Sequence, residues 1–374
     1  MLLIIVGAGA TYDSDWRRPV AADGFQHAGQ QARDLRPPLA KDLFNEKRFG
    51  QYVASYLPSQ GLMDRLRRSA PKVEQELEAI RDLSNVQAHL PRQLLAVRYY
   101  LRELIAVTVR TWNEAKPDLM TNFTRLLTQL EPWRQQCERL QGGHERVAIV
   151  TFNYDTLFDD ALTYLLPQFP LTKVDDYTSD SRYQLFKLHG SVNWWREARG
   201  HVIGNQQWTS ARGAISSPLE WARTMFDPPA QFTENGNFLM SGVGHQFPPC
   251  VPCIALPTAT KEASDFACPG THVEELLRLL RQVTDVLIIG WKGIEGHFLE
   301  GWRQVHASTP DRTIHSLAVV DATHEAAAEV AHRIVQTVGI APQTTPTFET
   351  FSGFVVDKLD HYLQETLGKP GAAA

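Results

Sequence analysis

The stretch Leu2-Leu3-Ile4-Ile5-Val6-Gly7-Ala8-Gly9-Ala10-Thr11 decides the fold. Five consecutive apolar residues followed by glycines and a hydroxyl read as a strand buried on both faces that ends in a tight turn. Two stretches further along repeat the design. They are Val147-Ala148-Ile149-Val150-Thr151-Phe152-Asn153-Tyr154-Asp155 and Leu185-Phe186-Lys187-Leu188-His189-Gly190-Ser191. Two later strands, Val286–Ile289 and Leu317–Val320, end at Gly290-Trp291 and at Asp321. Open α/β sheets bind ligands outside the carboxyl ends of such strands. The chain therefore reads as built to hold a nucleotide-like ligand, with Asn153, Asp155 and His189 beside it.

Helical periodicity fills the space between these strands. Val73-Leu77-Ile80, Leu94-Leu95-Val97-Leu101-Leu104-Ile105 and Phe123-Leu126-Leu127-Leu130 recur at helical spacing, punctuated by Pro71, Pro91 and Pro117. Residues 12–38 read as loop. Helices are expected over about 156–166, 297–306, 324–338 and 354–367. Thr271-His272-Val273-Glu274 has the pattern of a capping box. The expected fold is an α/β doubly wound parallel sheet, Rossmann-like, with a large helical insertion. One domain spans 1–374. It comprises a helical insertion at 39–141, an irregular subdomain or lid at 192–270, and a C-terminal helix and tail at 341–374.

The chain has 374 residues, of which 43% are hydrophobic and 21% charged, an ordinary globular composition. A net charge of -5 argues against general affinity for nucleic acid or anionic membranes. The run Leu2–Val6 is far too short to cross a bilayer, and no signal-peptide pattern precedes it. Four cysteines suit a reducing cytosol, so a cytoplasmic location is expected. Cys250-x-x-Cys253 with Cys268 and His272 has a Cys₃His ligand set. We read these cysteines instead as small buried hydrophobes and expect no metal. Arg65-Leu66-Arg67-Arg68 reads as a solvated helix end, and Trp194, Trp195, Trp208 and Trp221 as packing residues.

Taken singly, each polar position has a plain structural reading. Gly7-Ala8-Gly9-Ala10-Thr11 lacks the third glycine of the dinucleotide fingerprint, since Tyr12 stands there. It serves equally as a tight turn or as backbone that approaches a phosphate. Asp155 suits a helix cap. His189 suits either a general base or a ring satisfied by a carbonyl.

In combination and in this order, these motifs resemble the Sir2 (sirtuin-like) family. Arg36-Pro37-Pro38-Leu39 is similar to the loop opening the first helix in its bacterial members, and Pro252–Lys261 to the strand after their variable region. The resemblance runs from Met1 to about Val338. It implies a Sir2 fold and NAD as substrate, attacked at the nicotinamide ribose. By that carry-over Asn153 holds the ribose or a water, Asp155 contacts the nicotinamide amide and His189 is the base. Gly7, Ala8, Gly9 and Thr11 line the phosphates, with Gly290-Trp291 as the glycine turn beneath them; Ala10 and Gly190 also bind the cofactor, and Asp321 lies near the adenosine. Protein-deacylating sirtuins carry a four-cysteine zinc module soon after the His-Gly motif. Here Ser191-Val192-Asn193-Trp194-Trp195 follows instead. The helical insertion resembles that of bacterial antiphage effectors that cleave NAD to ADP-ribose and nicotinamide. The resemblance further implies a homo-oligomer and a HerA-type ATPase or short Argonaute as partner. The alternatives are a non-catalytic NAD or ADP-ribose-binding regulatory subunit and an NAD-dependent protein deacylase.

Overall fold

In the computed structural model, the described residues are 1–15, 35–87, 89–115, 120–141, 145–197, 199–200, 209–210, 213–214, 232–233, 237–240, 250–260 and 266–366. The central sheet has six parallel strands: β1 (Leu2–Val6), β2 (Val147–Thr151), β3 (Tyr183–Lys187), and three that come after a small second sheet. That second sheet holds β4 (Gly190–Glu197), β5 (Phe238–Met240) and β6 (Cys250–Ile254). The central sheet then resumes with β7 (Asp285–Ile289), β8 (Ser316–Asp321) and β9 (Thr347–Glu349). Its order is β9-β8-β7-β1-β2-β3. The chain builds outward from β1 in one direction through β2 and β3, and in the other through β7, β8 and β9. The topological switch therefore falls between β1 and β7, where a doubly wound sheet opens a crevice at its carboxyl edge.

The apolar runs explain why these strands are central. Every residue of β1, β2 and β3 is buried, as the absence of a polar alternation requires for strands covered on both faces. Register then aligns the strand ends. Val6 pairs with Thr151 and with Ile289, Thr151 with Lys187, and Ile289 with Val320. Continuing that register puts Gly7, Phe152, Leu188, Gly290 and Asp321 in one row, with Asn153 and His189 one residue beyond.

The helical block lies between β1 and β2. Its longer members are α2 (Glu46–Ser55), α3 (Gln60–Arg68), α4 (Val73–Leu83), α5 (Leu90–Ala115) and α6 (Asn122–Gln141), preceded by the single turn α1 (Ala8–Tyr12). The block up to Leu104 has a core of its own, which includes Tyr56, Leu77, Tyr99 and Leu101 and is closed by Trp195, Cys250, Val251 and Ile254 of the second sheet. Tyr99 Oη donates to the Cys250 carbonyl at 2.5 Å, and the Arg102 guanidinium lies 4.1 Å above the Trp195 ring. The rest of α5, and α6, join the core around the central sheet. Half-buried Tyr154 packs against both cores. Arg65 and Arg67 end α3 in ion pairs with Glu76, Glu46 and Asp64, so the basic cluster is a paired helix end.

Helices α7 (Leu157–Leu165), α9 (Gly270–Leu280), α10 (Gly296–Ala307) and α11 (His324–Val338) cover the sheet, with the short α8 (Asp176–Ser179) before β3. One local expectation is corrected, and two regions gain a strand. Helix α9 begins at Gly270 with Pro269 as its cap residue and no side-chain cap, so Thr271 lies inside the helix and no capping box forms. The stretch expected to be irregular from residue 192 opens with β4, an eight-residue strand. The C-terminal region contributes an edge strand, β9, before its helical turns at Phe351–Thr366. The loop expected at 12–38 falls mostly outside the described residues, as do Pro117, Trp208 and Trp221. Trp194 and Trp195 are buried packing residues. Among the described residues, no helix is long and apolar enough to cross a membrane.

Candidate functional site

The first loop and the β7 loop are folded against each other. Gly7 N–H donates to the Ile289 carbonyl and Gly9 N–H to the Gly290 carbonyl, both at 3.0 Å, and Ala10 N–H returns to the Gly7 carbonyl at 3.1 Å. A Cβ on Gly7 would lie 2.4 Å from the Gly290 carbonyl oxygen. Gly290 has a φ of +59°, and a Cβ there would sit 2.2 Å from the Ala10 nitrogen. The glycines are thus required by the contact between the two turns, whatever ligand lies beyond them. Ala8 is the exposed member of the loop.

Asn153 joins this loop to the end of β2. Its Nδ2 donates to the Gly7 carbonyl at 2.9 Å and to Thr11 Oγ1 at 2.7 Å. The carbonyl partner requires an N–H, which fixes the orientation of the amide and leaves Oδ1 to accept from outside. Thr11 Oγ1 then donates to Asp155 Oδ2 at 3.1 Å. Asp155 Oδ1 accepts from Leu157 N–H at 3.1 Å, at the first residue of α7, whose cap position is Thr156. Burial pushes the Asp155 carboxyl upward, against the opposing pull of Lys187 and of its own hydrogen bonds. With both oxygens engaged and the side chain buried, Asp155 serves first as the brace of the loop.

Beneath it lies an ion pair that the sequence reading missed. Lys187, fully buried at the end of β3, donates to the Asp155 carbonyl at 2.5 Å and to Asp159 Oδ2 at 2.8 Å. Tyr177 Oη donates to Asp159 Oδ1 at 2.6 Å and accepts from Asn193 Nδ2 at 3.3 Å. The one visible signal was a lysine set inside an apolar strand.

His189 follows β3 by one residue beyond Leu188, on the strand next to Asn153. Neighbouring strands run roughly 5 Å apart. Its ring packs against Phe152 at 5.0 Å, Tyr154 at 6.4 Å and His297 at 5.7 Å between centroids. Gly190 has φ +79° and carries the chain into β4, where a Cβ would overlap the Cys253 carbonyl oxygen at 1.8 Å. The pairing of histidine with glycine is thus a corner. The histidine stays at the carboxyl edge while the chain turns into the second sheet.

On the other side of β1 a narrow groove of about 50 Å³ runs between the two loops and the C-terminal segment. Gly9, Ala10, Tyr12, Gly290, Asp321 and Thr350 are among its lining residues. Asp321 Oδ1 accepts from Ala322 N–H at 2.7 Å, and burial pushes its carboxyl upward. Trp291 is buried and stacks on Phe152 at 5.2 Å and 12°, between this groove and His189. The site residues expected from sequence therefore fall on one edge in two groups, split by β1. A larger depression of about 460 Å³, lined by Met1, Glu145, Arg146, Gln282 and Arg312, lies at the opposite edge, away from all of them. Among the described residues, no three His, Cys, Asp or Glu side chains gather as metal ligands. Cys253 donates to the Ala267 carbonyl at 3.0 Å, and Cys250 belongs to the separate core under the helical block.

Residues 147–248 match the family model described as a SIR2-like domain. That span holds Asn153, Asp155, His189 and Gly190. No curated protein sequence matches the chain. Among solved structures, a mutant Sir2 homologue in complex with ADP-ribose is 11% identical with a TM-score of 0.39, covering 98% of this chain and 92% of its own. A Sir2 homologue–NAD complex is 11% identical with a TM-score of 0.35, covering 98% and 90%.

Proposed function

We propose that this chain hydrolyses NAD at the nicotinamide glycosidic bond, so that NAD and water give ADP-ribose, nicotinamide and a proton. The observation that carries the reading is the bridge from Gly7 and Thr11 through Asn153 to Asp155, with His189 on the adjacent strand end. The residues suit a dinucleotide. The groove at the β1/β7 switch offers backbone walls and the Asp321 carboxylate, an acceptor for ribose hydroxyls. The other side of β1 offers an amide carbonyl and an imidazole.

Breaking the glycosidic bond builds positive charge on the ribose carbon and its ring oxygen. Asn153 Oδ1, held by two hydrogen bonds from its own Nδ2, accepts from a ribose hydroxyl or the attacking water without reorganising. His189 takes the proton released as water adds, or as a ribose hydroxyl ionises. Thr11 and Asp155 keep Asn153 in place, and the stacked rings of Phe152 and Trp291 offer an apolar wall beside His189.

The reading extends to a cytoplasmic antiphage effector that depletes NAD. It acts as a homo-oligomer and is released by a HerA-type ATPase or a short Argonaute. The match over residues 147–248 supports a SIR2-like domain; the extension beyond it rests on the resemblance of the helical block between β1 and β2.

The test is NAD turnover with chromatography of products for wild type, Asn153→Ala and His189→Ala, with and without an acylated peptide. ADP-ribose and nicotinamide from wild type, falling by about 10²–10⁴-fold in His189→Ala, is the expected result. Saturable binding without turnover would instead favour a regulatory NAD-binding subunit. Nicotinamide release dependent on the peptide would make it a deacylase.

A further inference from the structure

Lys187 stands two residues before His189 and forms the floor of the site. Its ammonium, fully buried, donates to the Asp155 carbonyl at 2.5 Å and to Asp159 Oδ2 at 2.8 Å. Above it runs the chain of bonds that orients Asn153. Asn153 Nδ2 donates to Thr11 Oγ1 at 2.7 Å, and Thr11 Oγ1 donates to Asp155 Oδ2 at 3.1 Å. Leu157 N–H donates to Asp155 Oδ1 at 3.1 Å. Counting hydrogens fixes the direction of this chain. The Thr11 hydroxyl has one hydrogen and already accepts from an amide N–H, so its hydrogen goes to Asp155. Asp155 then accepts at both oxygens, which suits a carboxylate and not a carboxylic acid. Burial opposes that charge, and the Lys187 cation pulls the other way.

We propose that Lys187 is a positioning residue whose charge keeps Asp155 a carboxylate, so that Thr11 donates to Asp155 and Asn153 Oδ1 stays presented to the ligand. The proposal rests on the reading of Asn153 as the residue that meets the ribose or the water. On a protonated Asp155 the acid hydrogen would meet the Thr11 hydroxyl, and the Thr11 hydrogen would lose its acceptor. Asn153 would then depend on the Gly7 carbonyl and on a hydroxyl shared between two donors. The charged and titratable groups around Asp155 fall into place. On α7, Asp159 opposes the pull of Lys187 and accepts from Tyr177 Oη of α8 at 2.6 Å. Asp160 accepts from Asn113 Nδ2 at 3.0 Å and from Thr156 Oγ1 at 3.3 Å. Beyond β2 and β3, the rings of Tyr154 and His189 face each other at 6.4 Å.

The experiment follows the Asp155 carboxyl by carbon NMR in the full chain with labelled aspartate. The signal is assigned by its loss in Asp155→Asn. Asp159→Asn serves as the reference, because Lys187 can then be replaced without stranding a buried carboxylate. In Lys187→Met/Asp159→Asn the Asp155 midpoint should lie about one to three pH units above that of Asp159→Asn. Lys187→Gln/Asp159→Asn keeps a donor for the Asp155 carbonyl but no charge, and should shift the midpoint as far. NAD turnover in both double variants, relative to Asp159→Asn at the same pH, should fall about tenfold where Asp155 is protonated and return as the pH rises past its midpoint. A merely structural role would give a loss independent of pH. An Asp155 midpoint shared by all three proteins overturns the proposal. A shift in the methionine variant alone also overturns it, since the hydrogen bond and not the charge would then set Asp155. An absence of NAD turnover in every protein defeats the hydrolase reading, yet the carboxyl titration still decides whether Lys187 governs Asp155.

Discussion

Thr11 and Asp155, 144 residues apart in the chain, meet through a 3.1 Å hydrogen bond from Oγ1 to Oδ2. The same Thr11 oxygen accepts from Asn153 Nδ2 at 2.7 Å. One hydroxyl therefore receives one bond and gives one, and it locks the first loop to the end of β2. Thr11→Val preserves the shape but leaves a buried carboxylate oxygen and an amide N–H without their partner. That costs about 1–3 kcal/mol. The melting temperature should fall by several degrees, and NAD binding should weaken because the loop loses its anchor. Thr11→Ser, which keeps the hydroxyl, should restore both. Calorimetry and NAD titration on the two variants check this, and a loss in Thr11→Ser as large as that in Thr11→Val would mean that the hydroxyl alone does not anchor the loop.

Lys187 and Asp159 form the ion pair under the site, with side chains 0% and 5% exposed. Removing one member of such a pair strands the other, at a cost of about 3–5 kcal/mol. Lys187→Met should therefore destabilise strongly and release the Asp155 carbonyl. Combining it with Asp159→Asn should recover part of the loss, because the asparagine still accepts from Tyr177 without carrying a charge. Urea unfolding of the single and double variants reads the coupling directly. Simple additivity would mean that the charges do not interact.

The strands were legible because burial on both faces leaves no alternation, so Leu2–Val6 and Val147–Thr151 announce themselves as apolar runs. The carboxyl-edge residues were legible for the same reason: Asn153, His189 and Gly290 are the first polar or glycine residues after such runs. What escaped notice has a common physical character. β9 is a three-residue edge strand, too short to carry a period. Lys187 and Asp159 are charges whose meaning depends on a partner 28 residues away. His297 sits at the start of a helix, where nothing local separates it from a surface residue. The first glycine loop was open to two readings, a tight turn or phosphate approach, and its contacts show that Gly7 and Gly290 have no room for a Cβ because their two turns touch.

That contact makes a paired prediction. Gly290→Ala combines a φ of +59° with a Cβ placed 2.2 Å from the Ala10 backbone nitrogen, so β1 and β7 must separate at their carboxyl ends. The variant should lose several kcal/mol of stability or fail to accumulate as folded protein. Gly61→Ala in α3 is the control, since nothing lies within 4 Å of a Cβ there. It should stabilise by about 0.5–1 kcal/mol through reduced freedom of the unfolded chain. Thermal unfolding of both variants checks the pair. A tolerated Gly290→Ala would mean that the two turns are not in contact.

His272 supplies a prediction in pH. Its ring is buried in α9, with Trp194 edge-on at 5.9 Å, and burial lowers its pKa to about 4. The unfolded chain binds a proton at about 6.5, so between 6.5 and 4 the unfolded state holds more protons than the folded one. Stability from this residue is therefore complete above pH 6.5 and drains away as the pH falls toward 4, by on the order of 3 kcal/mol. Asp160, raised to about 6 by burial, acts with the opposite sign, since it favours the folded state as the pH drops. That contribution is common to wild type and His272→Leu and cancels in their difference. Urea unfolding from pH 7.5 to 4.5 should show wild type losing stability the more steeply of the two. Parallel curves would mean that the His272 ring reaches water and protonates without unfolding.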